Sequence, residues 1–447
     1  MKKIAILVFF TVGFFVHVWA CTGLIAGKQA TVDGSVLVTY SADSHTLYGA
    51  LTSSPAADWP KGSMRSIVEW DTNKPLGEIE QVEHTYAVIG NMNEHQLTVV
   101  ESTWGGRPEL VDTTGIIDYG SLMQLALERA KTAREAIKVM TGLVKKYGYY
   151  SSGESFTIAD PNEAWILDLI GKGPGRRGAV WVAVRIPDDC IAGHANYPRI
   201  HKIPMDDKEN CLYSPDVISF AREMGYFDGL NKDFSFARAY SPADFGALRA
   251  CDARVWSFFR KYDSTMDNYL PYVNGESAEP FPLYVKPSRK LSVQDMKEAM
   301  RDHFEDTPFD MTQDVGAGPF KVPYRFRPMS FEVDGKSYCM ERAIATQQTG
   351  FTLVGQMRNW LPDPVGGVLW FGVDDANTCV YIPMYCGITQ VPECFSPENG
   401  SMYDFSWTSA FWIHNWVANM AYARYEPMIG DIRKVQSAVE TSLNLRQ

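Results

Sequence analysis

Cys21 stands where two sequence patterns meet, and no other position constrains the fold as much. Ahead of it lie a Met1-Lys2-Lys3 n-region, an apolar run over 4–18 and Trp19-Ala20, with compact Val18 and Ala20 where a secretory signal is cut. Behind it come a short apolar run over 22–27, a turn signal at Val32-Asp33-Gly34, and a second β-rich run over 35–39. Cleavage after Ala20 would make Cys21 the first residue of the mature chain, at the start of a strand. The hairpin would then hold a thiol and a free α-amine on a rigid sheet, where reacting groups can be positioned accurately. An α-amine with a pKa of about 7.7–8.0 can take a thiol proton near neutral pH, so one residue would supply both nucleophile and base. Position alone leaves two other readings open: a lipid-anchor cysteine, and an ordinary buried or disulfide cysteine. Bulky Trp19 and the strand-like residues after Cys21 argue against the anchor.

The apolar run is too short and too near the N-terminus for a membrane span, and no later window has the ~18–20 apolar residues one needs. The mature protein is therefore expected to be soluble and exported, to the periplasm or outside the cell. With 447 residues and 45% hydrophobic content, the chain can bury a large core as one unit or as two or three domains. The net charge of −11 is spread over interspersed signs with no basic block, which argues against nucleic acid or anionic membranes as partners. Eight cysteines form no CxxC pair and eight histidines no HExxH pattern, so neither a metal nor another cofactor is expected. If Cys21 is free, an odd number of cysteines remains and at least one more is unpaired.

Further strands are expected over 86–89, 97–100 and 180–186, with a hairpin from 155–159 through Asp160-Pro161-Asn162 into 164–169. Capping-box patterns at Ser121-Leu-Met-Gln124 and Thr132-Ala-Arg-Glu135 predict two helices, the second ending at Gly148. Later helices are expected over 293–303, 407–421 and 430–445. The stretch 264–333, rich in Pro, Gly and charge, reads as surface excursions. Strand runs mixed with helical pairs suggest sheets covered by helices.

Several motifs, taken in order, resemble one family. They are Cys21-Thr-Gly23, Asp33-Gly-Ser35, Asn91-Met-Asn-Glu-His95, Ile158-Ala-Asp160 with Ala164-Trp165, and Trp181-Val-Ala-Val-Arg-Ile-Pro-Asp188. His194-Ala-Asn196, Arg199-Ile200 and Ala253-Arg-Val-Trp256 follow, then Gln356-Met-Arg358, Leu361-Pro362, Gly367-Val-Leu-Trp370 and Ser409-Ala-Phe-Trp412. Together they resemble the secreted dipeptidases of peptidase family C69, relatives of penicillin V acylase and bile salt hydrolase among the N-terminal nucleophile (Ntn) hydrolases. The resemblance implies an α+β fold, the four-layer αββα Ntn sandwich with peripheral C-terminal helices. It further implies one domain over 21–447 after removal of a signal peptide at 1–20.

Carried over, the family places the nucleophile at Cys21, an amine-orienting carboxylate at Asp43, an oxyanion-hole amide at Asn196 and a late active-site arginine at Arg254. Read from the sequence alone, Asp43 could equally be a turn aspartate, Asn196 a loop amide and Arg254 a surface cation. One departure matters: many relatives carry Arg-Asn-x-Asp, whereas this chain reads Tyr40-Ser-Ala-Asp43. Tyr40 supplies no fixed positive charge and is expected to line the pocket instead. Glu101-Ser-Thr-Trp-Gly-Gly-Arg107 reads as a substrate or oxyanion loop containing Thr103, or as a tight turn. The expected activity is cysteine-type hydrolysis of dipeptides. The alternatives are a linear-amide acylase of the bile salt or penicillin V type, and a non-catalytic exported lipoprotein. Self-association is left open.

Overall fold

The computed structural model describes residues 21–325 and 330–447, so the expected signal sequence at 1–20 lies outside the described residues. The longer strands are β1 (Thr22–Ala26), β2 (Val36–Asp43), β3 (Thr98–Trp104), β4 (Gly153–Ala159), β5 (Ala164–Gly171), β6 (Ala179–Ile186), β7 (Ile191–His194), β8 (Thr349–Met357), β9 (Val368–Val373) and β10 (Ile382–Tyr385). They form two antiparallel sheets. The first runs β7-β1-β2-β8-β9-β10, with the short strand Tyr284–Val285 at its edge beside β7. The second runs β6-β5-β4-β3, flanked by Cys211–Tyr213 beside β6 and by Met92–Asn93 and other two-residue strands beyond β3.

All eight residues of β2 are buried, the polar Thr39, Ser41 and Asp43 together with the apolar ones. A sheet covered on both faces gives that pattern. Alternate residues divide between two cores. Ile25, Val36, Val38 and Tyr40 pack with Val100, Ile166 and Val182 of the second sheet. Leu24, Ala26 and Leu37 pack instead with Val255, Trp256, Phe258 and Met296. The second sheet uses its other face in the same way, setting Val99, Phe156, Ile158 and Leu167 against helices α1 (Tyr119–Arg129) and α2 (Ala133–Tyr147). The fold is therefore α+β, with helices on the faces of antiparallel sheets.

Several boundaries differ from expectation. Helix α1 is capped by the Asp118 carboxylate, which accepts from the Ser121 N–H, so the predicted Ser121 cap lies inside the helix. Thr132 caps α2 as expected, and Gly148 ends it at φ 82°. The stretch 264–325 is largely surface, as expected, but it is anchored: Met266, Tyr272, Phe281, Met300, Phe304 and Phe309 are buried with α3 (Ala253–Arg260) and α4 (Val293–Ala299). These anchors lack a regular period, so the prolines and charges between them dominate the sequence pattern. The C-terminal helices are α5 (Ala410–Ala423) and α6 (Tyr425–Arg446), broken at Arg424. Pro427 falls in the first turn of α6, where no N–H is required, and Gly430 lies inside the helix instead of opening it. The seven cysteines with described side chains, Cys21 among them, are all free thiols. No described helix is long and apolar enough to cross a membrane.

Candidate active site

Strand pairing brings the expected site residues together. In the ladder between β1 and β7, Gly23 faces His194, so the two residues that follow β7, Ala195 and Asn196, come next to Thr22 and Cys21. Gly23 has to be glycine there, because a Cβ would stand 3.0 Å from the His194 ring. His194 is itself buried between Ser102 Oγ (2.6 Å) and Thr157 Oγ1 (2.8 Å). Burial first, then the charges of Arg254 and Arg199, push its pKa down to about 3. It is a neutral ring at working pH, fully engaged and no candidate for the base. The Ser102 hydroxyl also accepts the Asn196 N–H at 3.1 Å, which fixes Asn196 at φ 54°, a left-handed conformation that asparagine tolerates better than most residues.

Arg254 enters from α3, just after a π-type turn over Ala247–Asp252. It is 233 residues from Cys21 in sequence, yet its Nη1 donates to the Cys21 carbonyl at 2.8 Å and to Thr22 Oγ1 at 2.7 Å. Its Nη2 donates to the Ala195 carbonyl (3.2 Å) and to Asn196 Oδ1 (2.8 Å). This bonding settles which way the Asn196 amide points. Its Nδ2 donates to the Thr103 carbonyl at 2.6 Å and carries a second N–H. Arg254 is buried, not the surface cation that the sequence alone allowed.

Around the sulfur the surroundings are acidic. Cys21 Sγ lies 3.7 Å from the Tyr40 hydroxyl and donates to Glu101 Oε1 at 3.4 Å. Tyr40 donates to the same oxygen at 2.5 Å. Tyr40 thus lines the position where relatives carry arginine, but it contributes a hydrogen bond and no charge. Burial, then the charges of Glu101 and Asp43, raise the Cys21 thiol pKa well above its usual value, against the Asp43 backbone N–H and Tyr40, which lower it. These surroundings favour the protonated thiol over the thiolate.

The Asp43 carboxylate accepts from Thr349 Oγ1 at 2.7 Å, from Ser41 Oγ at 3.2 Å and from Arg342. An arginine beside this aspartate is thus present after all, supplied from 342 and not from position 40. No local pattern marks it, because β8 and the segment before it reach β2 only through the sheet.

Glu154 also escaped the sequence reading, and Glu101 was read only as part of a loop. The segment Glu101–Trp104 lies in β3 and not in a loop; only Gly105, Gly106 and Arg107 lie beyond the strand. Register places Thr103 opposite Glu154, so Glu101, Thr103 and Glu154 share one face of the second sheet. Thr103 Oγ1 donates to Glu154 Oε1 at 2.6 Å. Both glutamates are buried, and their carboxyls hydrogen-bond to each other. Burial raises the pKa of each, and the charge of Glu101 adds to the rise at Glu154. A signal was present: a glutamate inside Val-Val-Glu-Ser-Thr-Trp is a charge in a strand otherwise built for burial.

A family model for peptidase family C69 matches residues 20–438. A probable dipeptidase of Latilactobacillus sakei is 24% identical over 429 residues, covering 91% of this chain and 82% of its own length. A probable dipeptidase of Salmonella dublin is 27% identical over 396 residues, covering 83% and 81%. Dipeptidase A of Lactobacillus helveticus is 24% identical over 429 residues, covering 91% and 82%. With nearly its whole described length matched, the chain belongs to peptidase family C69.

Proposed function

We propose that this protein is a cysteine-type dipeptidase whose nucleophile is Cys21 at a processed N-terminus. Its two helix-covered sheets are read as the αββα sandwich of the Ntn hydrolases. Residues 21–447 then form one hydrolase domain, exported once 1–20 are removed. The observation that carries this reading is the Arg254 bridge, which ties the Cys21 carbonyl to the Asn196 amide. The dipeptidase names of the relatives support the substrate class.

In the proposed reaction, the free α-amine of Cys21 takes the thiol proton and the sulfur attacks the scissile carbonyl. The second N–H of Asn196 Nδ2 donates to the oxyanion, an interaction whose loss typically costs ~10²–10³ in rate. Collapse breaks the peptide C–N bond, and the ammonium returns its proton to the leaving amine. A thioester remains. Water, deprotonated by the same α-amine, attacks it and releases the first amino acid. Asp43, held by Arg342 and Thr349, stabilises the ammonium between these steps.

The test is an assay of the chain starting at Cys21 on a dipeptide panel beside penicillin V and a conjugated bile salt. Dipeptides should be cleaved and the two anionic amides should not, given the carboxylates around the sulfur. Cys21→Ser should reduce turnover by about 10³-fold or more with the fold intact. One extra residue ahead of Cys21 should silence the enzyme, since an amide nitrogen is no base. Full turnover by that extended form, confirmed by mass, would sink the mechanism.

A further inference from the structure

We propose that Glu101, backed by Glu154, receives the free α-ammonium of the substrate and so restricts cleavage to the bond after the first residue. The inference rests on Cys21 being the nucleophile and goes on to name what selects the peptide.

Two buried carboxylates share one face of the second sheet, Glu101 against the reactive sulfur and Glu154 behind it, and no cation pairs with either among the described residues. Burying a carboxylate without a partner is costly, and a fold keeps such a group where something else completes it. Glu101 and Glu154 hydrogen-bond to each other, and Glu101 turns Oε1 towards the sulfur, where departure of the thiol proton would free an acceptor position for an N–H donor. An ammonium with three N–H donors suits that need. More acid lies towards solvent. Tyr119, half-buried, donates to exposed Asp71 at 2.8 Å and lies within electrostatic range of Glu101, Glu154 and Asp71. Glu101, Glu154 and Asp71 thus form one acidic neighbourhood, whose field favours a cationic group over an N-acylated, anionic amide.

The distances set the register of cleavage. A nucleophile in position to attack sits about 3–3.5 Å from the carbonyl carbon. In an amino-terminal residue the ammonium nitrogen lies only roughly 2.5 Å from that same carbon, two bonds away. Glu101 Oε1 is 3.4 Å from Cys21 Sγ, so an ammonium bonded to the carboxylate brings its own residue's carbonyl to the sulfur. A second residue on the acyl side would move the scissile bond one residue further from this anchor. Tyr40, already donating to Glu101 Oε1, fixes the carboxylate for that purpose.

The experiment compares L-alanyl-L-alanine with propionyl-L-alanine, which differs from it only in lacking the amino group. The chain starting at Cys21 should prefer the dipeptide by at least about 30-fold in kcat/KM, the scale of a buried charge pair lost. Glu101→Gln should collapse that preference towards unity, chiefly through KM for the dipeptide, while Glu101→Asp should retain most of it. Glu154→Gln should weaken it by a smaller factor, and provides a second reading should Glu101→Gln fail to fold. Equal rates for the two substrates in the unmodified enzyme would overturn the proposal. So would a Glu101→Gln variant that slows both equally, because Glu101 would then serve the enzyme's own α-amine. Cleavage of no dipeptide at all would instead sink the dipeptidase reading, and this inference with it.

Discussion

Arg254 uses its guanidinium to hold four acceptors on two strands, the Cys21 and Ala195 carbonyls, Thr22 Oγ1 and Asn196 Oδ1. Burial, followed by the charge of Arg342, lowers its pKa to about 10, so it remains a cation at working pH. It is a positioning residue: it fixes which face the Asn196 amide presents. Lysine keeps the charge but is a point donor and cannot span the same fork. Arg254→Lys should therefore lower kcat by about 10-fold or more while moving KM less, since the amide is required when charge develops on oxygen. Each acceptor left orphaned costs about 1–3 kcal/mol, so the thermal midpoint should fall as well. Steady-state kinetics beside a melting curve checks both, and an unchanged kcat would show that Asn196 needs no such hold. Asp43 fits the same pattern, since its partner Arg342 comes from a distant segment. Cys21, Asp43, Asn196 and Arg254 were singled out by the family resemblance, and the structure brings them near one another. Glu154 and Arg342 were not singled out, because nothing local distinguishes a charge that a distant strand will bury.

At the scale of elements, the paired strands β3 and β4 carry Glu101 and Glu154. Trp104 faces Gly153 in their register, and its indole N–H donates to Ser155 Oγ at 3.1 Å. The ring lies so close over the glycine that a Cβ there would stand 2.1 Å from it. Gly153→Ala should therefore force Trp104 out of its packing and destabilise the protein by about 1–3 kcal/mol or more. It should also disturb Glu154, the next residue, and hence activity. A urea titration reads the first effect, and an unchanged midpoint would mean that the ring has room to move. The strands themselves were legible from their β-branched runs, and the Thr132 and Gly148 caps from their helix signals. The reading of 101–107 as a loop failed for an instructive reason. Its glycines were given more weight than the Val-Val-Glu-Ser-Thr-Trp run before them, where side chains alternate between the two faces of the sheet.

At the scale of the whole molecule, the layer over the first sheet was the least legible part, because its apolar anchors follow no period and its partners are remote. The C-terminal helix α6 closes that layer. Glu440 pairs with buried Arg301 at 2.6 Å, and Gln436 donates to the Cys379 carbonyl at 2.6 Å. Lys297 on α4 completes the contact, with its ammonium 3.6 Å from the centre of the Trp370 ring and donating to Asn444 Oδ1 at 2.9 Å. Burial lowers its pKa from 10.5 to about 7, with the charge of Arg301 adding to the effect and Glu440 opposing it. Below about pH 7 both folded and unfolded chains carry this proton, and folding bears the full cost of burying the charge. Between about 7 and 10.5 the unfolded chain holds more protons than the folded one, so this group makes stability rise with pH. Lys297→Met removes the titration while keeping an unbranched chain of similar length against Trp370. The difference in unfolding free energy between variant and parent should shift in favour of the parent as pH rises from 7 to 10. Urea titrations at three pH values across that window measure it. A difference that stays constant, or moves towards the variant, would mean that Lys297 keeps its proton in the folded protein and that the ammonium is held by Glu440 and the Trp370 ring.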